Sequence, residues 1–199
     1  SSGTLTVSEP VPMPVPTAAF TATGADTGTL SGLESGGEYT VSGAANTTFT
    51  ADGTTHDLTG VSAGTLFLVR KADGSSTIDS EAQTIPVTKA ETPTATKKDC
   101  TTERNNNGML QDVTDAMEYQ KSGDSAWTDC GGTKVTGLTD DTYYVRVKAA
   151  GSMLASDPQT LVIGAYSGGD YDDRCYTIEV TAGAGGSVSP SGSVSVREG

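Results

Sequence analysis

Large side chains are scarce in this sequence. Its 199 residues include one Trp, seven Tyr and three Phe, whereas Gly, Ser and Thr fill well over a third of the positions. So little apolar surface disfavours one large core and favours two or more small domains. No apolar run approaches the roughly 18 residues that span a bilayer, and no charged-then-apolar N-terminus resembles a signal peptide. We therefore expect a soluble chain without membrane insertion.

Basic residues are also few. The chain has 12 Lys and Arg against 25 Asp and Glu, a formal charge of −13 and an isoelectric point near 4.2. Such a charge repels phosphate backbones and anionic lipids, so neither nucleic acid nor a membrane surface is an expected partner. The glycine-rich segment 183–186 precedes a predicted strand rather than a helix, so no phosphate cradle and no cofactor are expected.

Cysteine and histidine are too few for a structural metal site. Cys100, Cys130, Cys175 and the single histidine, His56, show no paired ligand spacing, so no metal site is predicted. A disulfide between Cys100 and Cys130 would close a loop of about 30 residues and add roughly 3 kcal/mol to stability. Two buried free thiols are the alternative, and the sequence favours neither. Cys175 is left without a pair.

Catalytic candidates are weak. His56 followed by Asp57 is the only hint of a hydrolase, and no G-x-S-x-G elbow is present. We expect His56 to be an exposed polar residue and the chain not to be an enzyme. The acidic segments Asp140-Asp141 and Asp170–Asp173 offer oxygen ligands for calcium. Because they lack the spacing of an EF-hand, solvated turns are the favoured interpretation.

The chain contains an internal repeat. Its aligned residues are 77 positions apart, and 76 positions apart at the end of the alignment. Leu58–Thr84 aligns with Val135–Thr160, with one residue dropped before the final Gln-Thr. The Pro-Thr-Ala at 16–18 recurs at 93–95. The sequence therefore contains two copies of one module.

Pro-rich and Thr-rich stretches before each copy favour short extended linkers. We predict two domains, at 16–90 and 91–165. Residues 1–15 are predicted to be a linker with the last strand of a preceding unit, and 166–199 a linker with an incomplete β-repeat.

Apolar residues alternate within each copy, and turn residues recur about every 8 to 12 positions, which is typical of short antiparallel strands. In the second copy, Tyr143 and Val145 are predicted to face the core, and Tyr144 and Arg146 the solvent. Seven strands fit each copy, and two packed sheets bury few large side chains economically. We therefore predict an all-β chain of tandem, mutually independent β-sandwiches with negligible helix.

A family resemblance appears at 135–149, where Val-Thr-Gly-Leu-Thr-Asp-Asp-Thr is followed by Tyr-Tyr-Val-Arg-Val-Lys-Ala. This run resembles the E-to-F region of fibronectin type III modules, which implies Ig-like sandwiches. In that family the tyrosine hydroxyl bonds back to the preceding loop, and Tyr143 holds the matching position. The first copy departs from the pattern, because Leu66 and Phe67 stand there and neither has a hydroxyl.

The wider pattern, with Trp-Thr-Asp-Cys at 127–130 and Leu-Ala-Ser at 154–156, resembles repeat modules of secreted or wall-attached proteins of Gram-positive bacteria. Such proteins include adhesins, glycan-degrading enzymes with accessory domains, and immunoglobulin-binding surface proteins. The resemblance implies an extracellular or cell-wall location.

Candidate binding residues lie on the outward side of the predicted 141–147 strand. Tyr144 and Arg146 are of types enriched in binding hot spots, and Trp127 is a third candidate. For Trp127 a place in the core is favoured, whereas for Tyr144 core and surface are equally open. The corresponding strand of the first copy has Phe67 and Val69 outward, so the sequence leaves open whether it is buried on both faces or slips in register.

Three functions follow. The first is a module that binds a host protein, with immunoglobulin as one candidate. The second is a spacer that holds another domain away from a cell wall. The third is a carbohydrate-binding module, ranked last because exposed aromatics are few. The difference between the two strand faces leans toward binding, and a monomer with an unidentified host protein or glycan as partner is expected.

Overall fold

The computed structural model describes residues 8–74, 76–168, 175–189 and 192–197. Every regular element in this part of the chain is a β-strand, which confirms the all-β fold class. No helix within these ranges is long and apolar enough to cross a membrane.

The first sandwich contains two antiparallel sheets. In chain order, the strands of this half are β1 (Val11–Pro12), β2 (Ala19–Ala22), β3 (Thr27–Ser31), β4 (Glu38–Gly43), β5 (Thr47–Thr50), β6 (Thr55–Thr59), β7 (Gly64–Arg70), β8 (Thr77–Ile78) and β9 (Gln83–Lys89). One sheet has the order β2-β3-β6, and the other contains β9-β7-β4-β5. Strands β1 and β8 form a separate parallel pair.

The second sandwich repeats this arrangement. Its strands are β10 (Thr96–Lys98), β11 (Gly108–Gln111), β12 (Met117–Lys121), β13 (Thr128–Asp129), β14 (Lys134–Leu138), β15 (Asp141–Val147), β16 (Met153–Leu154) and β17 (Gln159–Ile163). The two sheets are β10-β11-β14 and β13-β12-β15-β17. In both sandwiches the first, second and fifth strands form the smaller sheet, and the other four form the larger one. Seven strands per copy is the predicted number.

Strand alternation places the cores. Along β7, Leu66 and Leu68 are fully buried while Phe67 between them is 40% exposed. The same alternation buries Tyr143 and Val145 on β15. The first core is built around residues such as Leu30, Val41 and Leu66, and the second around Leu110, Val113, Val145 and Ile163.

The two sandwiches are interlocked. The loop between β15 and β17, residues 148–158, reaches back to the first sandwich, where β16 pairs in parallel with β9. Leu154 on this loop is fully buried and belongs to the first hydrophobic core. The prediction of mutually independent sandwiches is therefore wrong, because the first core includes a side chain from the second copy.

The C-terminal segment forms a hairpin. Strands β18 (Cys175–Val180) and β19 (Gly192–Arg197) pair antiparallel in a two-stranded sheet. Residues 1–7 and 169–174, which include the acidic segment Asp170–Asp173, lie outside the described residues.

Candidate functional site

Two places in the molecule have a specific side-chain geometry. One is the contact between the sandwiches, which we call the joint; it joins residues 151–157 to residues 22–24 and 88–90. The other is the outward side of β12 and β15 with Trp127, which we call the outer face.

Main-chain hydrogen bonds align the joint. Thr88 N–H donates to Ser152 O at 3.2 Å, and Ala90 N–H to Leu154 O at 3.0 Å. On the other edge, Ala22 N–H donates to Gly151 O at 2.7 Å. The loop therefore fills a gap between β2 and β9 and bonds to both strands.

A tight turn shapes the tip of this loop. Ala150 and Met153 exchange two main-chain hydrogen bonds of 2.9 Å. Gly151 has a φ of +55°, a backbone conformation that favours glycine. The salt bridge from Lys89 Nζ to Asp157 Oδ1, at 2.6 Å, adds a contact at the rim. The apolar Leu154 is the central contact, because exposed ion pairs contribute little.

Arg146 is the most constrained residue of the outer face. Its Nε donates to Glu118 Oε1 at 2.7 Å, and its guanidinium carbon lies 3.9 Å from the centroid of the Trp127 ring. The Arg146 and Glu118 side chains are only 17% and 16% exposed. Trp127 is half-buried under Arg146 on the surface, so its predicted place in the core is wrong.

Tyr144 lies in the next row of the same face. It is half-buried, and in the sheet it stands between Gln120 on β12 and Thr160 on β17. Val162, beyond Thr160, is 57% exposed. The structure thus brings Tyr144, Arg146 and Trp127 to one side of one sheet.

The first sandwich has a different outer face. Phe67 stands at the position of Tyr144 and is exposed, and Val69 stands at the position of Arg146 and is half-buried. Strand β7 is therefore buried on one face only. Its register is defined by antiparallel pairing with both β4 and β9.

Tyr143 makes the loop contact that the resemblance implies. Its hydroxyl donates to Thr139 O at 3.2 Å and lies 3.2 Å from Thr139 Oγ1. Lys121 Nζ donates to the same Oγ1 at 3.0 Å. In the first sandwich the tyrosine is on a different strand: the hydroxyl of Tyr39, on β4, accepts from Glu34 N–H in the loop just before β4 at 2.9 Å.

Cys100 and Cys130 are free, buried thiols in the second core. Of the two arrangements left open by the sequence, the structure has the free thiols. Burial raises the pKa of the Cys130 thiol from 9.0 to about 11. Thiolate is the nucleophilic form, so Cys130 is unreactive near neutral pH.

No catalytic pair forms at His56. Its ring stacks on Phe49, with centroids 3.6 Å apart, and is half-buried rather than exposed as predicted. The next residue, Asp57, points to the opposite side of β6 and accepts a hydrogen bond from Thr29 Oγ1 at 2.6 Å. Within the described ranges, no group of three or more His, Cys, Asp or Glu is arranged to hold a metal ion.

The acidic pair at 140–141 forms a turn. Asp141 Oδ1 accepts from Thr142 N–H at 2.7 Å, and Asp141 Oδ2 lies 3.3 Å from Lys121 Nζ. The hydrogen bond from Thr142 and then that from Lys121 hold the pKa of the Asp141 carboxyl below its ordinary value. The Asp141 carboxylate is thus paired by groups of the protein itself.

A cleft of about 140 Å³ opens beside Arg70, between the 14–17 segment and Tyr39. The guanidinium lies 5.4 Å from the centroid of the Tyr39 ring and donates from Nη1 to Lys71 O at 3.1 Å. Arg70 Nε makes no hydrogen bond, and Glu34 Oε2 is 3.7 Å away. Because that carboxylate already lies beside the cation, the cleft is not arranged to attract an anion.

Sequence reasoning missed three structural pairs of the repeat. Ser80 and Ser156 each accept a hydrogen bond of 2.9 Å from the last residue of the preceding long strand, Arg70 and Val147. Gln83 and Gln159 each bond to the start of their own module, at Ala18 and Ala95. The third pair is Ile78 and Leu154. All six residues lie in the aligned segments, but the alignment with its gap before the final Gln-Thr pairs Ile78 with Ala155. The structure places the gap earlier, between Arg70 and Thr77, because the offset is already 76 at Ile78 and Leu154.

Comparison with known proteins assigns the chain to no family. No protein-family profile matches the chain, and no curated protein matches it. Among solved structures, the chain is similar to the FN1–FN3 domains of chicken CNTN1, with 15% identity, a TM-score of 0.28, and coverage of 78% of this chain and 69% of that one. It is also similar to a two-domain fibronectin type III segment of chicken tenascin, with 16% identity, a TM-score of 0.29, and coverage of 75% and 98%.

The strand order within the chain defines its architecture. Each sandwich has a three-stranded and a four-stranded antiparallel sheet with the same connections, and the inward residues of β7 and β15 are buried in the two cores. The chain is an all-β tandem of fibronectin type III-like sandwiches.

Proposed function

We propose that this chain is a non-catalytic, extracellular segment of a modular protein in which docked β-sandwiches hold neighbouring domains at a fixed separation. The observation that carries the proposal is the burial of Leu154 in the first core. Domains joined by small polar contacts move freely, whereas a buried apolar contact restricts them. A spacer needs that restriction.

The energetics favour a docked joint. Burying a leucine side chain stabilises by about 1.5 to 3 kcal/mol, and each main-chain hydrogen bond adds roughly 1 kcal/mol. Thr88, Ala90 and Ala22 donate such bonds to the loop, and Ala155 N–H donates one of 2.9 Å to Gly24 O. The two hydrogen bonds between Ser156 and Val147 already close the base of this loop, which lowers the conformational entropy that docking has to remove.

Distance measurements between spin labels test the spacer. Labels at Thr48→Cys and Thr160→Cys, both exposed positions in different sandwiches, report the separation once Cys175 is replaced by Ser. We expect one narrow distance distribution for the parent chain and a broad one for Leu154→Ser.

Ile78→Ser is the matched control, because Ile78 holds the equivalent position in the first sandwich but is 46% exposed. It should leave the narrow distribution unchanged. A broad distribution in the parent chain contradicts the spacer function.

Binding of a host protein, immunoglobulin included, is a second candidate. It is supported by the outer face, where Trp127, Arg146 and Tyr144 stand together on the second sandwich. Arg and aromatic residues dominate binding hot spots. A glycan is less favoured than a protein, because Arg146 covers one face of the Trp127 ring.

Capture of serum proteins by the immobilised chain tests this candidate. Tyr144→Ala should weaken any specific capture, while Phe67→Ala, its counterpart on the first sandwich, should not. Because this chain has a net charge of −13, we expect its partner to carry a basic patch, and added salt should slow their association. Equal capture by both variants contradicts binding through the outer face.

The proposed setting rests on the wider repeat pattern, with Trp-Thr-Asp-Cys at 127–130 and Leu-Ala-Ser at 154–156. This pattern supports a secreted or wall-attached protein of a Gram-positive bacterium. The repeat and the Pro-rich and Thr-rich stretches support domain boundaries near 16, 91 and 166. Expression of 16–165 as a stable, monomeric protein tests those boundaries.

A further inference from the structure

The parallel pairing that forms the joint occurs twice in the chain. At the joint, β16 pairs with β9, with Met153 opposite Thr88. At the other end of the first sandwich, β8 pairs with β1, with Thr77 opposite Val11. The hydrogen bonds also match: Val11 N–H donates to Ser76 O at 3.0 Å, and Met13 N–H to Ile78 O at 2.9 Å.

The repeat offset makes these contacts equivalent. Val11 and Met13 stand 77 residues before Thr88 and Ala90, which are bonded to the joint loop. Thr77 and Ile78 stand 76 residues before Met153 and Leu154. Residues 11–13 therefore correspond to the end of the last strand of a sandwich, as residues 88–90 do at the end of β9 in the first sandwich.

Both loops are also built alike. Ser80 Oγ accepts from Arg70 N–H and Ser156 Oγ from Val147 N–H, each at 2.9 Å. Each serine N–H bonds back to the same strand residue, at 2.9 and 3.1 Å. Thr77 N–H closes its turn on Gly74 O at 3.4 Å, as Met153 N–H does on Ala150 O. The described residues of the loop between β7 and β9, 71–74 and 76–82, thus repeat the turn and the serine hydrogen bonds of the loop that docks.

The two loops differ in burial. Leu154 is fully buried in the core of the sandwich before it, whereas Ile78 is 46% exposed and Val11 is 65% exposed. Ile78 lies beside β1, which belongs to neither sandwich of the described residues.

We propose that Ile78 and its loop dock into the open end of another sandwich of this kind, lying directly before residue 14 in the same polypeptide. That sandwich would end in residues 11–13, and Ile78 would enter its core as Leu154 enters the first core. The inference rests on the proposed spacer function, which it extends to a chain of docked repeats. A preceding sandwich is the partner that the joint indicates. Residues 11–13, which would end its last strand, already pair with the loop that carries Ile78.

An extended chain tests the proposal. The extended chain consists of residues 1–90 followed directly by residues 14–199. It therefore contains two copies of the first sandwich, and the second copy stands where the second sandwich normally follows. Thr88→Cys in the first copy and Thr77→Cys in the second form the new pair, with Cys175→Ser. Paired parallel positions lie within disulfide reach. The native joint of the same chain, with Thr88→Cys in the second copy and Met153→Cys, is the control.

We expect both pairs to cross-link within one chain, with yields within about twofold of each other. Ile78→Asp in the second copy should lower the yield of the new pair by about tenfold or more, because a buried carboxylate is unfavourable, and should leave the control pair unchanged. Cross-linking of the control pair alone overturns this inference and leaves the spacer intact. Failure of both pairs overturns both proposals, and cross-links between chains overturn the intrachain arrangement.

Hydrogen exchange of the 199-residue chain gives a second measurement that needs no extended chain. The amides of Val11 and Met13 should be protected by their bonds to Ser76 O and Ile78 O. Exchange at the rate of an unstructured peptide would show that the strand does not pair with the loop and would overturn the proposal.

Discussion

The side-chain amide of Gln83 bonds to both main-chain polar groups of Ala18. Gln83 Oε1 accepts from Ala18 N–H at 2.9 Å, and Gln83 Nε2 donates to Ala18 O at 2.7 Å. Gln159 and Ala95 repeat the arrangement at 2.8 and 2.9 Å. The Pro-Thr-Ala that opens each module and the Gln-Thr near its end are therefore in direct contact, and the amide takes the place of a strand partner.

Replacing Gln83 by Ala should lower the free energy of unfolding by about 1 to 3 kcal/mol, because two hydrogen bonds are lost and the groups of buried Ala18 stay unpaired. Gln159→Ala should cost the second sandwich a similar amount. Urea denaturation measures both. Gln120→Ala is the control, since Gln120 makes an exposed bond to Asp124 O, and its effect should stay below about 0.5 kcal/mol. A neutral Gln83→Ala would contradict the role of the amide.

Much of this fold is predictable from the sequence, because alternation and turn spacing report which side of a strand is buried. Tyr143 and Val145 inward and Tyr144 and Arg146 outward follow from a period of two. The docking of Leu154 does not follow, because a Met-Leu pair in a connecting loop does not indicate which sandwich it packs against. Burial between two modules depends on tertiary geometry that a local pattern does not contain.

The candidate site was predictable in part. Tyr144 and Arg146 lie on the surface as the strand period predicts. The size of Trp127 favours a place in the core. In the structure its ring instead stacks under Arg146. A local sequence pattern does not report this contact, because the two residues are far apart in the sequence. His56 lies on the inward side of β6, which explains why it stacks on Phe49.

Removing the hydroxyl of Tyr143 should destabilise the second sandwich by about 1 to 3 kcal/mol, since Thr139 O then loses its donor. Tyr144→Phe on the adjacent outward position is the matched control and should be nearly neutral. Thermal unfolding monitored by near-UV circular dichroism gives the comparison. An unchanged melting temperature for Tyr143→Phe would show that the corner bond contributes nothing.

Alkaline pH should weaken the second sandwich through Cys130. The folded chain raises the pKa of this thiol from 9.0 to about 11, chiefly by burial, so it binds the proton more tightly than the unfolded chain. This contribution is fully present below pH 9 and is lost as the pH rises through about 11, with a loss of up to about 2 kcal/mol. Urea unfolding at pH 8 to 11 measures it.

Cys130→Ala should flatten this pH dependence relative to the parent chain. Burial also raises the pKa of Tyr119, so a smaller loss of stability should persist in Cys130→Ala at the alkaline end. The same slope in Cys130→Ala and the parent chain would rule out Cys130 as the source.

The ion pair between Arg146 and Glu118 should show a measurable coupling energy. Both side chains are more than four-fifths covered, and Trp127 shields the guanidinium from water on one side. Arg146→Ala and Glu118→Ala should each cost about 1 to 3 kcal/mol, because each leaves a poorly solvated charge without its partner. The double variant should cost at least about 1 kcal/mol less than the sum of the two.

The pair formed by Lys148 and Asp129 is the control for this cycle. It lies on the same sheet with a separation of 3.1 Å, but the Asp129 side chain is 70% exposed, so its coupling should stay below about 0.5 kcal/mol. Arg146→Lys should recover only part of the Arg146→Ala loss, since an ammonium does not stack on the indole as a planar guanidinium does. If the Arg146 and Glu118 cycle gave no more coupling than the control, the outer face would be a set of independent surface residues. A partner would then have to order Arg146 on binding, which weakens the case for a preformed binding surface.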